Sequence, residues 1–335
     1  MQTCDDIPLQ SPNREQEDAI RERLRQAEDQ IDRVVLGQRS LVRGMLVSLL
    51  CRGHVLIEGV PGLAKTTAVS ALAATIRTTF CRLQFTPDLL PSDIIGSEVY
   101  RPEQHRFEIQ RGPIFANLVL VDEINRAPAK VQSALLEAMQ DRQVSIAGES
   151  MPLPDPFMVL ATQNPIDQQG TYALPEAQMD RFLMKLLVRY PEQAAEQTML
   201  RRSLAPDVDP VETKPLLTPD DIAAAQQAIA RVRVSPSVEE YVLQLVRATR
   251  DTGELDSKLA AYIRFGVSPR GTLALAHAAR AGTFLDGRHH VTPDDVKAVV
   301  KDVFRHRIVL SYEALADDRH ADDVLDALVP HVRVP

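Results

Sequence analysis

Five short apolar runs, most of them separated by stretches with helical character, recur through the first 190 residues of the chain. They cover residues 55–57, 83–85, 118–121, 158–161 and 182–188. Short apolar strands that alternate with helices are typical of a parallel sheet covered by helices on both faces. Ligands bind such sheets at the carboxyl ends of the strands. The pattern therefore predicts an α/β fold with its site at that edge.

Helical patterns without strand signals flank this region. Apolar residues recur at helical spacing among the charges of residues 14–32, which predicts an amphipathic helix. After residue 190 the strand signals stop, and Thr218 and Thr292 each offer an N-cap followed by proline and two acids. Ser237 is expected to cap a further helix. We predict an N-terminal helical segment over 1–33, an α/β core over 34–190, and an all-α domain over 191–335.

A glycine-containing segment joins the first apolar run to the next helical stretch. Glycines let backbone N–H groups turn toward a phosphate, and the N-terminus of a helix favours an anion. Lys65 would reach the β- and γ-phosphates, and the hydroxyl of Thr66 can ligate Mg²⁺. Ala64 stands where glycine is usual, and its methyl predicts an ordinary negative φ. The segment predicts a nucleoside triphosphate site formed by Gly59, Val60, Pro61, Gly62, Leu63, Ala64, Lys65, Thr66 and Thr67.

Polar side chains follow two of the later apolar runs. Asp122 and Glu123 end one predicted strand, and Asn164 follows the next. Beside a phosphate site, Asp122 would hold Mg²⁺, and Glu123 would act as the general base toward the attacking water. Taken alone, the acids could be a solvated strand end and Asn164 a turn before proline.

Composition and charge narrow the partners. The net charge of −8 and an isoelectric point near 5.6 disfavour a surface dedicated to nucleic acid, which usually carries a basic excess. Three cysteines stand at no metal-ligand spacing, which is typical of thiols in a reducing compartment. No signal-peptide pattern and no apolar run of membrane-spanning length is present. These features predict a cytoplasmic protein with no membrane insertion and with a protein partner.

Five longer strings of residues resemble the MoxR family of AAA+ ATPases. The resemblance covers nearly everything from Val34 to Arg270, and the family pattern itself carries alanine before the lysine. It rests on residues 59–66, 122–128, 134–139, 161–165 and 174–182. The family implies a P-loop AAA+ core, a parallel sheet sandwiched by helices, followed by an all-α lid, with ATP and Mg²⁺ as ligands.

The resemblance also implies roles for residues outside the phosphate segment. Asn164 matches sensor 1, and Arg181 matches the arginine finger that completes a neighbouring subunit's site. Arg270 matches sensor 2, and the sequence leaves open whether it serves its own subunit's nucleotide or a neighbour's. Arg181 read alone could equally be a surface ion-pair partner. Val35, Gly37 and Gln38 match the segment that borders the adenine, although a helix-to-turn junction would have the same sequence.

Two predicted hairpins agree with the same clade. The first has strands at 97–100 and 106–109 and interrupts a helix, and the second has strands at 143–146 and 151–153 around residues 147–150. They match the helix-2 insert and the pre-sensor-1 hairpin of the clade that includes MoxR and the MCM helicases. The resemblance implies that they face the pore or the substrate, whereas surface decoration is the alternative.

The family implies an ATPase that assembles into a ring, most often a hexamer. Its expected task is chaperone-like remodelling or maturation of a protein complex, with a client and a partner bearing a von Willebrand factor A domain. A nucleic-acid motor or loader related to MCM proteins is the alternative, which the acidic charge opposes. A scaffold that is assembled by ATP binding alone is a third reading.

Overall fold

The computed structural model describes residues 14–165, 171–204, 213–251 and 257–334. Its centre is a five-stranded, all-parallel sheet in the order β2-β5-β8-β1-β9. The strands of this sheet are β1 Val55–Glu58, β2 Phe80–Gln84, β5 Leu118–Asp122, β8 Met158–Gln163 and β9 Met184–Leu187. The predicted α/β fold is confirmed, and each predicted run overlaps one strand.

Alternate residues of the central strands enter two separate cores, one on each face of the sheet. In β5, Leu118 and Leu120 pack with α1 and the helices after it, whereas Val119 and Val121 pack on the opposite face with α5. All residues of β5 are buried. Helices therefore cover both faces. The helices are α1 Arg14–Val34, α2 Arg39–Leu50, α3 Lys65–Ala74, α4 Pro91–Ile95, α5 Ala129–Asp141, α6 Glu176–Met179, α7 Gln193–Leu204, α8 Pro219–Ile229, α9 Pro236–Arg250, α10 Ser257–Tyr262, α11 Pro269–Leu285, α12 Pro293–Phe304, α13 Tyr312–Ala316 and α14 Ala321–Leu328.

The strand register brings the carboxyl ends of four strands to one edge of the sheet. Gln84 of β2 lies beside Asp122 of β5, and Glu58 of β1 lies beside Gln163 of β8. Val121 pairs with Ala161 and ties β5 to β8. Because all these strands are parallel, the residues that follow them converge at this edge.

Both predicted hairpins are present as antiparallel pairs. They are formed by β3 Gly96–Arg101 with β4 Arg106–Arg111, and by β6 Gln143–Ile146 with β7 Glu149–Pro152. Helix α4 precedes the first hairpin, but the described residues between β4 and β5 form turns rather than a helix, so the hairpin does not interrupt a helix. The second turn is also shorter than predicted, because Ala147 and Gly148 both adopt positive φ and form a tight two-residue turn.

Helical structure follows residue 190 apart from the short pair β10 Ile263–Phe265 and β11 Val309–Leu310. Thr218 and Thr292 cap α8 and α12 as predicted. The third predicted helix start is wrong. Ser235, not Ser237, caps α9, and its hydroxyl accepts a hydrogen bond from the Val238 N–H. Among the described residues, none of the helices combines the length and apolar character that crossing a bilayer requires.

Helix α1 packs into the body of the protein. Its buried residues, among them Leu24 and Ile31, belong to the same core as residues of α2, α3, α8 and α11. Arg231, just after α8, also donates to the Glu17 carboxylate of α1. The amphipathic helix that the sequence predicts therefore packs against α2 and α3 and against α8 and α11, two of the helices that follow residue 190.

Candidate nucleotide site

The loop between β1 and α3 forms a cradle at the carboxyl edge of the sheet. Gly59 approaches Val188 so closely that a Cβ atom on it would lie 2.8 Å from the Val188 carbonyl oxygen. Gly62 has φ +88°, a left-handed conformation that favours glycine. Gly59 is thus needed for the close approach to the residue that follows β9, whereas Gly62 is needed for the left-handed turn.

The expectation of a negative φ at Ala64 is wrong. Ala64 has φ 55° and ψ 25°, in the left-handed region, and is the N-cap residue of α3. A left-handed residue with a Cβ atom costs about 1–2 kcal/mol. The Ala64 carbonyl accepts the first bond of the helix, from the Ala68 N–H at 2.9 Å. The geometry of the cradle therefore overrides the preference of the alanine.

Lys65 opens α3 with its ammonium group inside the cradle. Its Nζ donates to the carbonyl oxygen of Gly59 and, at 3.3 Å, to that of Gln163. Burial lowers the pKa of Lys65, and the negative charges of Glu123, Asp122 and Glu58 oppose this shift. The ammonium group is thus held by neutral carbonyl oxygens at the place where phosphate oxygens would offer stronger, charged acceptors.

Asp122 is the buried carboxylate of the site, with only 7% of its side chain exposed. The hydroxyls of Thr66 and Thr162 each donate to its Oδ1 atom at 3.3 Å. Arg82 Nε donates to its Oδ2 atom at 2.7 Å. A hydroxyl and a carboxylate side by side are the hard oxygen ligands that Mg²⁺ takes next to nucleotide phosphates. Thr66 and Asp122 therefore fit the ion that the sequence predicts.

Glu123 turns out of β5 with φ 57° and ψ 54°, which directs the chain into the short 3₁₀ helix Ile124–Arg126. Its backbone N–H donates to the Thr162 hydroxyl at 3.0 Å. Its carboxylate accepts from Gln84 Nε2 at 3.2 Å and pairs with Arg126 Nε at 3.0 Å. The carboxylate is thus held at the mouth of the cradle by two donors.

Asn164 and the two carboxylates share one cavity with the cradle. The cavity has a volume of about 460 Å³, and Asn164 is 9% exposed in its wall. It is lined by Pro61, Gly62, Ala64, Lys65, Thr66, Thr67, Arg82, Gln84, Asp122, Glu123, Thr162 and Asn164. The structure thus places Asn164 in one cavity with the residues predicted to bind phosphate and metal and with the predicted general base, Glu123.

Three lining residues escaped the sequence analysis. Arg82 and Gln84 point from β2 into the cavity, and Thr162 comes from β8. Polar residues at every second position of β2 were the available signal. The signal identifies a face of the strand, but the position of β2 beside β5 follows only from the sheet order.

A second cavity of about 300 Å³ adjoins the first and shares Pro61, Gly62 and Ala64 with it. Val35 and Gln38, two of the three residues matched to the adenine segment, are part of its lining, and Gln38 Nε2 donates to the Arg189 carbonyl oxygen at 2.8 Å. Gly37 is outside the lining and instead forms a turn with φ +77°. Leu36 of the same segment also lines the cavity, and the lining that the sequence analysis missed is Tyr190 and Pro191 of the connection after β9 and Glu196 and Met199 of α7.

Arg181 lies at the other end of the sheet. It stands three residues before β9, where the Leu183 N–H bonds the carbonyl of His54, the residue that precedes β1. Neither Arg181 nor Arg270 is among the described residues that line the two cavities. The chain's own cradle therefore lacks both of the arginines that the family pattern assigns to the phosphates.

Arg270 is exposed in the first turn of α11, close to the Arg181 segment. Ser268 occupies the N-cap position of α11, but its hydroxyl makes no capping hydrogen bond to the helix. It donates to both carboxylate oxygens of Asp180, at 3.1 and 2.9 Å. A cation in the first turn opposes the helix dipole, so the helix itself gains nothing from Arg270.

Arg307 joins these two segments from within the protein. Only 2% of its side chain is exposed, and its Nε donates to Asp180 Oδ1 at 2.8 Å. Its other nitrogens donate to carbonyl oxygens of Asp180, Phe182, Leu183 and Val303. Burial lowers the pKa of Arg307, whereas the Asp180 carboxylate opposes the shift. The buried guanidinium thus fixes the main chain on both sides of Arg181.

Substitution of Arg307 by glutamine is expected to lower the free energy of unfolding by about 3–5 kcal/mol, because it leaves the Asp180 carboxylate without its buried partner. Urea unfolding followed by circular dichroism measures the change. Arg25→Gln is the matched control, because Arg25 pairs with Glu22 on the exposed face of α1 and should show no resolvable shift. Equal midpoints for both variants would contradict the structural role of Arg307.

Comparisons with known proteins agree with this architecture. The family model for "ATPase family associated with various cellular activities (AAA)" matches residues 54–184, and the AAA lid domain model matches residues 256–328. The chain is 47% identical to Chaperone MoxR1 of Mycobacterium tuberculosis, over 93% of this chain and 82% of the relative. It is 36% identical to Protein MoxR of Paracoccus denitrificans, over 86% and 89%.

A solved structure also matches over nearly the full length. The crystal structure of an inferred ATPase from Cytophaga hutchinsonii superposes with a TM-score of 0.88 and is 41% identical. The match covers 96% of this chain and 97% of that chain.

Proposed function

We propose, because the chain belongs to the MoxR family of AAA+ ATPases, that it remodels protein complexes in the manner of a chaperone. The chain is an ATPase, and in this proposal it couples ATP hydrolysis at subunit interfaces to that remodelling. One observation carries the second half of this proposal. The cradle, both carboxylates and Asn164 share a cavity that neither Arg181 nor Arg270 lines. This supports a site that a second copy completes by supplying its arginines.

Each residue of the cavity has a distinct task in this proposal. The N–H groups of the cradle and the Lys65 ammonium bind the β- and γ-phosphates. Thr66 and Asp122 hold Mg²⁺, which when bound would neutralise phosphate charge. The Glu123 carboxylate accepts a proton from the attacking water, and the Asn164 amide orients that water while staying neutral. Val35, Gln38 and Tyr190 form the apolar and polar walls around the base.

Arg181 and Arg270 act in trans in this proposal. The Asp180 carboxylate links the start of α11 to the Arg181 segment, so both cations sit on one rigid part of the chain. Guanidinium groups supplied by a neighbour would neutralise the charge that develops on the transferred γ-phosphoryl group. Repetition of this head-to-tail contact closes a ring, which we propose to be a hexamer.

The output of the cycle is proposed to be motion applied to a protein client in the cytoplasm, with a von Willebrand factor A domain protein as partner. The hairpin of β3 and β4 is the proposed contact. Its Tyr100 and Phe107 rings pack 5.1 Å apart and are 46% and 64% exposed. Exposed aromatic pairs are suited to protein contacts, because they bury a large area with few rotatable bonds.

ATPase assays with and without DNA or RNA separate this function from a nucleic-acid motor. The net charge of −8 leads us to expect no stimulation by either nucleic acid. Strong stimulation would overturn the protein-remodelling proposal.

Affinity capture with the Glu123→Gln variant and ATP should then retain the client and the von Willebrand factor A domain partner. Capture that is equal with ADP would contradict nucleotide-dependent binding.

Lys65→Ala is expected to weaken ATP binding by about 100-fold. The substitution removes charge-assisted hydrogen bonds to the phosphates, and two bonds of about 1.5 kcal/mol each correspond to that factor. Titration with a fluorescent ATP analogue measures the affinity. Lys297→Ala on α12 is the control, because Lys297 pairs with the exposed Asp294 away from both cavities. Unchanged affinity in Lys65→Ala would show that the cradle is not the phosphate site.

A further inference from the structure

Arg82 stands out among the residues of the cavity, because it places a second cation beside the predicted metal ligand. It lies in the middle of β2, opposite Leu120 of the neighbouring strand. More than half of its side chain, 56%, is exposed, whereas the Asp122 carboxylate that it contacts is 7% exposed. The contact joins Arg82 Nε to Asp122 Oδ2 at 2.7 Å.

Arg82 contacts the carboxylate oxygen of Asp122 that the two threonine hydroxyls do not bind. Asp122 Oδ1 accepts from the hydroxyls of Thr66 and Thr162, and Oδ2 accepts from Arg82. A buried carboxylate needs a compensating charge, and Arg82 supplies one by direct contact, in addition to the through-space attraction of Lys65. Thr66 and Asp122 are also the residues that fit the divalent ion, so the guanidinium and the ion compete for one carboxylate.

The two cations differ in what holds them in place. The guanidinium is tethered by a flexible, half-exposed side chain, and it can turn into the open cavity without disturbing β2. The Asp122 carboxylate cannot follow it, because it ends a fully buried strand. Arrival of a divalent cation would therefore move Arg82 rather than Asp122, since two cations near one carboxylate repel each other.

We propose that Arg82 sets the affinity of the nucleotide site for its divalent cation, as the counter-ion of Asp122 that the incoming ion must displace. The inference rests on the proposed function, because it takes Thr66 and Asp122 as the metal ligands. It assigns to Arg82 a positioning role rather than a catalytic one. The site is then loaded only when metal and nucleotide together outweigh the ion pair.

Binding of Mn²⁺ to the full-length protein saturated with ADP tests this role without reference to turnover. The electron paramagnetic resonance signal of free Mn²⁺ gives the dissociation constant directly. Arg82→Gln is expected to bind Mn²⁺ about 10-fold more tightly than the native chain, because about 1.4 kcal/mol of competition is removed. Arg82→Lys keeps the charge and should stay within about 3-fold of the native value.

Arg77→Gln is the matched control, since it removes one exposed arginine just before β2 and outside the cavity. Its Mn²⁺ affinity should equal that of the native chain. Unchanged or weaker Mn²⁺ binding by Arg82→Gln, in protein with a native circular dichroism spectrum, would overturn the proposal. If Arg82→Gln does not fold, Arg82→Met serves the same comparison, with the same expectation.

The test also separates this inference from the function on which it rests. A native chain that binds neither ADP nor Mn²⁺ with ADP would overturn the proposed function and the role of Arg82 with it. A native chain that binds both, with no change in Arg82→Gln, would overturn the role of Arg82 alone.

Discussion

Replacement of Glu123 by glutamine should leave ATP binding intact and slow ATP turnover by about 10²–10⁴-fold, the usual contribution of a general base. The amide is close to the carboxylate in size, but it cannot accept a proton from water. The cradle and Lys65 are untouched, so the phosphates keep their donors. Phosphate release under saturating ATP measures turnover, and titration with a fluorescent ATP analogue measures binding.

The control for this variant is Glu137→Gln, which makes the same chemical change on the exposed face of α5. Its turnover should equal that of the native chain. The stability of Glu123→Gln should also stay close to native, because the ion pair with Arg126 is partly exposed and such pairs contribute little. Normal turnover in Glu123→Gln would show that another group activates the water.

The strands and their polar ends could be predicted from the sequence because their signals are local. An apolar run that ends in Asp122 and Glu123, or a glycine loop before Lys65, keeps its character whatever surrounds it. No comparable local signal predicts that Arg82 lies beside Asp122. Its position depends on β2 lying beside β5, and the sheet order is set by packing between segments distant in the chain. The cation beside Asp122 was therefore missed.

The backbone conformation of the cradle could not be predicted from the sequence either, because it too depends on contacts between distant residues. The methyl of Ala64 argues for a negative φ when its own preference is considered alone. Its left-handed φ of 55° belongs instead to the tight loop that runs from Gly59, which approaches Val188 closely, to the start of α3. Local preferences of about 1–2 kcal/mol are small beside the packing of a whole loop. Such conflicts concentrate where a binding loop must hold one geometry.

At the start of α11, the role that the sequence pattern favours for a residue differs from the role that the residue has in the structure. A serine before a helix that starts with proline, as Ser268 is before Pro269, most often caps that helix. In the structure its hydroxyl serves Asp180 instead, and the buried Arg307 binds the same carboxylate. No local signal marks Arg307 as the residue that joins α11 to the segment before β9. The junction arises because distant parts of the chain meet at one carboxylate.

Replacement of Arg181 by alanine is expected to slow ATP turnover by about 10³-fold or more, the range measured for arginine fingers, and to leave ATP affinity nearly unchanged. The chain's own cavity contains no part of Arg181, so binding within one subunit does not depend on it. Turnover depends on it because the transferred phosphoryl group lacks its neutralising cation. Arg77→Ala, an exposed arginine outside the cavities, should hydrolyse ATP normally.

Mixing Arg181→Ala with Lys65→Ala subunits decides whether the arginine acts in trans. At an ATP concentration that does not saturate Lys65→Ala, each variant alone should be nearly inactive: one lacks the arginine, and the other binds ATP about 100-fold more weakly. In a mixed ring, an Arg181→Ala subunit keeps its cradle and can receive Arg181 from a Lys65→Ala neighbour, so turnover should reappear. Its dependence on the mixing ratio should peak at intermediate ratios. Failure of every mixture to hydrolyse ATP, with subunit exchange verified, would place the action of Arg181 within its own subunit, contrary to the separation seen across the sheet.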